Sequence, residues 1–325
     1  MGAFCSLPSK GSPTVEGQRK DDLTITGMGT EWPSKLVGPG EFRNLALKHY
    51  PEDAPWNEPP GADEVDATFR QYGTELAEQA ARKALSDSNL SPSAITHIVA
   101  VTATNAGSPG YDQLVARRLA SDLATAASLR GKEARVLLIA CEICSTQVRC
   151  ELHESATSQN GGIGPVLFGD GASALNAPCL FTILDRRSEI MPETFDEMSY
   201  TVSPHGFLLS LSKNVPALTA AAVREPFQSL ANANGMGSLL PSSFDWALHP
   251  GGLAIIKGVQ KSMDLPDDAV RASNEIYKTR GNTSSVAVLA VLDRLRSMEK
   301  REENVIACSF GPGLVVEMAL LQRVC

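Results

Sequence analysis

The chain has 325 residues, of which 43% are hydrophobic and 20% are charged, as is typical of a globular protein with one large core or two related half-domains. Its 29 basic and 37 acidic side chains give a net charge of −8 without any long basic run, so the electrostatic footprint of a nucleic-acid-binding protein is absent. No apolar run of the sequence reaches the length that a membrane-spanning helix needs.

The cysteines indicate a reducing compartment. There are seven, an odd number, and no secretory apolar segment precedes them, which favours reduced thiols in a cytoplasmic protein. Cys141, Cys144 and Cys150 lie close together, but no second Cys/His pair at zinc-finger spacing accompanies them. We therefore predict no metal site.

The amino terminus reads MGAFCS, which matches the pattern for myristoylation at Gly2, with Cys5 available for palmitoylation. So short a pattern occurs often by chance, and residues 1–20 are rich in Ser, Gly and Pro. We predict that 1–20 form a disordered tail.

The first third of the chain begins with a strand predicted at 21–28 and a short helix at 41–49. Four prolines and several acids at 51–67 predict a loop. Small and apolar residues repeat at four-residue steps from Tyr72 onward and predict a helix from Thr68 to about Ser88, packed closely against other structure.

The middle of the chain predicts strands alternating with helices. Buried strands are predicted at 95–104 and 134–145, with a helix at 111–130 between them. Residues 166–176 begin apolar, turn through Gly-Asp-Gly and resume as a strand. After Asp185 the composition becomes charged and irregular, which indicates a junction between two halves.

The second half repeats the order of helix, buried strand and turn. A strand or an entering helix is predicted at 207–213, and helices at 216–234, 253–264 and 285–299. FDWALHPGG predicts a strand that ends in a turn, and the closing segment predicts two strands around a Gly-Pro-Gly turn. We predict two α/β halves side by side, at 21–182 and 183–325.

Three turns carry the side chains most suited to catalysis. HPGG places His249 at a strand end beside glycines, GNTSS places Asn282 just before a helix, and SFGPG is a tight, rigid turn. A His and an Asn can together donate hydrogen bonds to a developing oxyanion. Taken singly, His249 is more simply a structural histidine and Asn282 a turn residue or helix cap.

Six segments in order resemble the type III polyketide synthases, the chalcone synthase-like branch of the thiolase superfamily. WALHPGG is similar to the family's His motif, GNTSS to its Asn motif, and SFGPGLVVE to its C-terminal signature. VLFGDGASA resembles the segment with a gatekeeper phenylalanine, and ARVLLIACEICS resembles the strand after the nucleophile helix. TNAGSPGYD resembles, in a fungal-like form, the loop that approaches the partner subunit.

This resemblance implies an α/β fold of the thiolase type, with αβαβα layers formed by two related halves, in a homodimer. It implies a Cys-His-Asn triad acting on CoA thioesters. His249 and Asn282 match the triad His and Asn, and Phe168 matches a gatekeeper. Ser284 matches a position that lines the substrate cavity, and Phe310 and Gly311 in SFGPG are expected to contact substrate.

The triad cysteine has no match in this chain. The family's Gly-Cys-x-Gly-Gly turn should precede ARVLLIACE, where this sequence has only SDLATAASLRGKE, so we expect the N-terminal half to be incomplete. PWNEPPGADEV is acidic where the family has basic residues near the CoA tunnel. Cys144 is a weak substitute nucleophile, and a packed core thiol is the simpler interpretation of it.

The resemblance implies an acyltransferase of secondary metabolism, one that condenses an acyl-CoA starter with malonyl-CoA by decarboxylative Claisen chemistry and needs no permanently bound cofactor. Three explanations of the missing nucleophile stay open: lost coding segments, a non-catalytic protein that binds CoA esters or a full-length dimer partner, or a residual malonyl-CoA decarboxylase. The ketoacyl synthase III enzymes, which share the triad, are a weaker alternative. We expect a cytoplasmic homodimer with CoA thioesters as ligands and no nucleic-acid partner.

Overall fold

The computed structural model describes residues 23–35, 41, 61–105, 110–119, 135–147, 151, 163–203, 206–299 and 302–324. The predicted tail at 1–20, all but the first residue of the helix predicted at 41–49, and the SDLATAASLRGKE segment lie outside these residues. In the described part of the chain, no helix has both the length and the apolar character to cross a bilayer.

One mixed sheet of seven strands organises the molecule. Its strands follow the order β2-β3-β4-β9-β8-β7, and β1 pairs with β4. A separate hairpin consists of β5 and β6. The strands are β1 Leu23–Glu31, β2 His97–Val101, β3 Val136–Glu142, β4 Gly171–Ile190, β5 Met198–Ser203, β6 Gly206–Leu211, β7 Asp245–Leu248, β8 Asn304–Gly311 and β9 Val315–Arg323.

Helices cover both faces of this sheet. On β8, Ile306 and Cys308 join a core cluster with residues of α6 and α7, whereas Val305 packs with residues of α9. Successive strand side chains point to opposite faces, so the alternation places helices on both sides. The helices are α1 Ala62–Thr68, α2 Thr74–Asp87, α3 Tyr111–Leu119, α4 Gly164–Leu167, α5 Val215–Ala222, α6 Arg224–Ala233, α7 Leu253–Ser262, α8 Arg271–Arg280 and α9 Ala287–Arg296.

The predicted close packing of the first long helix is confirmed. Ala80 and Ala84 of α2 are fully buried. A Cβ atom at Gly27 of β1 would lie 2.1 Å from the Ala84 carbonyl oxygen, and one at Gly29 would lie 2.6 Å from that of Ala80. Small residues on both elements therefore let the helix backbone lie directly on the strand.

Most strands and helices occur where the sequence predicts them, but several local predictions were wrong. Ala62–Thr68 is a helix, not a loop, because the prolines end at Pro60 and Asp63 and Glu64 stabilise the helix in its first turn. β2 is not buried on both faces, since Val99 and Val101 are exposed. The apolar start of the 166–176 segment belongs to α4.

The charged stretch after Asp185 is not irregular, because β4 continues through it to Ile190. Exposure alternates along 185–190, so the charged residues belong to a strand with one solvent-facing side. β4 pairs with β3 before this stretch and with β9 within it. The predicted division at 182/183 therefore falls inside a strand, and it stays a prediction.

Candidate active site

A cavity of about 960 Å³ opens where the carboxyl ends of β3 and β7 meet the turns before α7 and α9. The sequence-predicted site residues come from segments far apart in the chain. All seven line this one cavity: Cys144, Phe168, His249, Asn282, Ser284, Phe310 and Gly311.

Two backbone hydrogen bonds hold His249 at the end of β7. Its N–H donates to the carbonyl oxygen of Cys308 at 2.8 Å, and its own carbonyl accepts from the Gly251 N–H at 2.8 Å. A Cβ atom at Gly251 would lie 2.9 Å from the imidazole Cδ2. Glycine at this position therefore leaves the room in which the ring lies.

Burial determines the charge of His249. The residue is 8% exposed, and its Nδ1 atom is buried with no hydrogen-bond partner in the part of the chain that the structure describes. Desolvation lowers the pKa of His249 from 6.5 to about 4, so the ring is neutral at pH 7. A neutral imidazole carries a single N–H. If that hydrogen is on Nε2, the ring can donate one hydrogen bond to a ligand in the cavity.

Two backbone hydrogen bonds join Asn282 to the segment that carries Phe168. The Asn282 N–H donates to the carbonyl oxygen of Leu167 at 2.7 Å, and the Asn282 carbonyl oxygen accepts from the N–H of Gly169 at 3.0 Å. Gly281 precedes it at φ 71°, and a Cβ atom there would lie 2.6 Å from the Leu167 carbonyl oxygen. Only glycine allows this approach.

The amide side chain of Asn282 is oriented by its own turn. Its Oδ1 accepts from the backbone N–H of Ser284 at 2.9 Å. Because the oxygen is engaged in this way, the Nδ2 hydrogens remain to donate to a ligand. Asn282 is 7% exposed, so a hydrogen bond that it donates into the cavity is shielded from bulk water.

Cys144 is poorly suited to nucleophilic attack. It begins a short 3₁₀ turn over 144–146 after β3 and is 6% exposed. Burial raises the pKa of its thiol well above 9.0, and the carboxylates of Glu142 and Asp170 raise it further. A buried neutral thiol is inert, so these surroundings favour its interpretation as a core residue.

Glu142 also lines this cavity, and sequence reasoning gave it no role. Its carboxylate is fully buried and accepts hydrogen bonds from the Ala103 N–H at 3.0 and 3.1 Å and from the Ser285 hydroxyl at 2.5 Å. Thr102 and Thr104 donate two more. The sequence did contain a signal for Glu142, which is an acid inside the apolar run ARVLLIACE. A buried carboxylate needs hydrogen-bond partners, so an acid at such a position indicates a polar network.

The buried imidazole should make folding stability depend on pH. We expect the free energy of unfolding to fall by about 3 kcal/mol more in the wild type than in His249→Gln as the pH falls from 7 to 4. The unfolded histidine binds its proton near pH 6.5, whereas the folded one resists protonation down to about 4, so stability is full above 6.5 and is lost below it. Urea unfolding at several pH values measures the difference, and parallel curves would contradict it.

Comparison with known proteins assigns a family to this site. A sequence profile described as "Chalcone and stilbene synthases, C-terminal domain" matches residues 183–325. The type III polyketide synthase pspB of Penicillium soppii is 34% identical over 383 aligned residues, which cover 93% of this chain and 96% of that protein. This chain belongs to the type III polyketide synthases. Enzymes of this family are acyltransferases by their chemistry.

Solved structures of fungal type III polyketide synthases share the fold. A type III pentaketide synthase from Neurospora crassa has a TM-score of 0.81 at 31% identity, covering 93% of this chain and 99% of that one. CsyB complexed with CoA-SH has a TM-score of 0.82 at 27% identity, covering 93% and 100%. The predicted thiolase-like α/β fold is confirmed.

The alignment with pspB also shows that this polyketide synthase chain is shorter than its relative. The alignment extends over 383 positions, 58 more than the 325 residues of this chain. At least that many positions of the alignment therefore have no residue of this chain.

Proposed function

We propose that this chain binds CoA thioesters in the cavity of His249 and Asn282 and acts as a type III polyketide synthase, condensing an acyl-CoA starter with malonyl-CoA. The observation that carries the proposal is the convergence of these two side chains, 33 positions apart in sequence, on one cavity. Both present a neutral hydrogen-bond donor in a site shielded from water.

These two donors serve the decarboxylating half of the reaction. The malonyl carboxylate leaves as CO₂, and its electron pair forms the enolate of the thioester. The negative charge develops on the thioester oxygen, where the Nε2–H of His249 and the Nδ2–H of Asn282 stabilise it. Fixed donors of this kind contribute about 3 to 4 kcal/mol each to lowering a barrier. The enolate carbon then attacks the carbonyl carbon of the starter thioester and expels its thiolate, or it takes up a proton to give acetyl-CoA.

The acyl-transfer half needs a thiolate, and here the chain departs from its family. No cysteine occurs between positions 6 and 140. The thiol of Cys144 has the surroundings of an inert thiol, and positions of the pspB alignment have no residue of this chain. These observations favour, as a second candidate, a chain that binds CoA esters or decarboxylates malonyl-CoA without forming an acyl-enzyme.

Lys213 offers the cavity one contact for an anionic part of CoA. Among the described residues that line the cavity it is the one Lys or Arg, beside the acids Glu142 and Glu151, and it lies between β6 and α5. Glu197 accepts hydrogen bonds from Ser212 and Asn214, the residues on either side of Lys213. Lys213 is thus available for a CoA phosphate, and the proposal includes no permanently bound cofactor.

The proposal also includes a cytoplasmic homodimer. Each of its subunits consists of two halves, 21–182 and 183–325. The buried free thiols of Cys141, Cys144 and Cys308 favour a reducing compartment. The C-terminal profile match over 183–325 supports the division into halves.

Incubation of the purified protein with malonyl-CoA, followed by chromatography of acetyl-CoA, tests the proposed function. We expect turnover in the wild type and in His97→Ala, which alters an exposed histidine outside the cavity, and a loss of at least 100-fold in His249→Ala. Equal rates in wild type and His249→Ala would refute the role of the imidazole.

Mass spectrometry after exposure to an acyl-CoA separates the two candidates. An acyl adduct on Cys144 that is absent from Cys144→Ser would support the full condensation. Binding of the ester without any adduct would support the second candidate.

A further inference from the structure

Tyr277 lines the same cavity from α8, one helical turn before Asn282. Its backbone carbonyl accepts the Gly281 N–H at 3.1 Å and so closes the helix just ahead of the Asn282 turn. Its ring is partly buried against the core cluster beneath β8 and β9, as is the ring of Phe310. The side chain is therefore held by packing at the wall of the cavity that His249 and Asn282 also line.

The hydroxyl of Tyr277 has no hydrogen-bond partner among the described residues, whereas several other hydroxyls of the cavity wall are engaged. Those of Thr104 and Ser285 donate to Glu142, and that of Ser212 donates to Glu197. The Tyr277 hydroxyl is not one of the buried polar atoms that lack a partner, so it is accessible to a ligand. This donor is free to bind a polar atom of a ligand.

We infer that Tyr277 is a specificity-determining residue, whose hydroxyl donates a hydrogen bond to the β-keto oxygen of a bound β-ketoacyl thioester. The inference rests on the proposed function. His249 and Asn282 take the thioester oxygen, and a β-ketoacyl chain carries a second carbonyl oxygen two carbons away. A saturated acyl chain has no acceptor there, so the hydroxyl discriminates between the two chemical classes.

Calorimetric binding of acetoacetyl-CoA and butyryl-CoA tests this inference without any turnover, because the two esters have the same chain length and differ in the β-keto oxygen. In Tyr277→Phe we expect the affinity for acetoacetyl-CoA to fall about 3- to 10-fold and the affinity for butyryl-CoA to stay unchanged. Tyr72→Phe, which alters an exposed tyrosine outside the cavity, should change neither affinity.

An equal change for both esters, or no change for either, would overturn the role of Tyr277 and leave the proposed function standing. A lower melting temperature of Tyr277→Phe would also overturn it, since it would show that the hydroxyl already has a partner within the protein. If the wild type binds neither ester, both the proposed function and this inference fail.

Discussion

Replacing Asn282 by aspartate should lower the rate of malonyl-CoA decarboxylation by about 100- to 1000-fold, the loss typical of one oxyanion donor. Aspartate keeps an oxygen where Oδ1 accepts the Ser284 N–H, so the turn before α9 retains its internal hydrogen bond. The Nδ2 donor is replaced by an oxygen that repels the developing enolate. The measurement is the initial rate of acetyl-CoA formation at saturating malonyl-CoA.

Asn232→Asp is the matched control for this substitution. Asn232 is exposed on α6, outside the residues that line the cavity, and the change adds the same negative charge. We expect its rate to equal that of the wild type. If Asn282→Asp retains more than a tenth of the wild-type rate while remaining folded, Asn282 does not stabilise the enolate, and the proposed site would be wrong.

Removal of the Glu142 carboxylate should cost about 3 to 5 kcal/mol of folding stability in Glu142→Ala. This carboxylate joins three segments: the residues after β2, the end of β3 and the turn that follows Asn282. Truncation leaves the Ala103 N–H and the Ser285 hydroxyl without their acceptor in a buried site, and each unpaired buried group costs about 1 to 3 kcal/mol. Urea unfolding monitored by circular dichroism gives the change in the free energy of unfolding.

Glu75→Ala provides the comparison for this loss, because Glu75 lies exposed on α2 and contacts Gln79 across one helical turn. A surface change of this kind should stay within about 0.5 kcal/mol of the wild type. A loss below 1 kcal/mol in Glu142→Ala would mean that the three segments hold their places without the carboxylate.

The family could be predicted from sequence, and His249 and Asn282 could be singled out as residues of one site, because their signals are local. Glycine is needed at 281 for a backbone that passes close to Leu167, and at 251 for room beside an imidazole. Such steric demands fix residue types within a few positions and leave a readable motif. The alternation of buried strands and helices is local in the same way.

Hydrogen bonds and strand pairings between segments far apart in the sequence could not be predicted in this way. The four donors that surround Glu142 come from positions 102–104 and 285. The continuation of β4 through a charged stretch depends on its pairing with β9.

Short motifs were therefore enough to identify the family and to single out His249 and Asn282, since short-range backbone geometry constrains the residues of each turn. Which side chains share a cavity, and which of them are neutral, followed from the folded chain alone. Burial and hydrogen bonding are properties of contacts between segments that chain folding alone brings together.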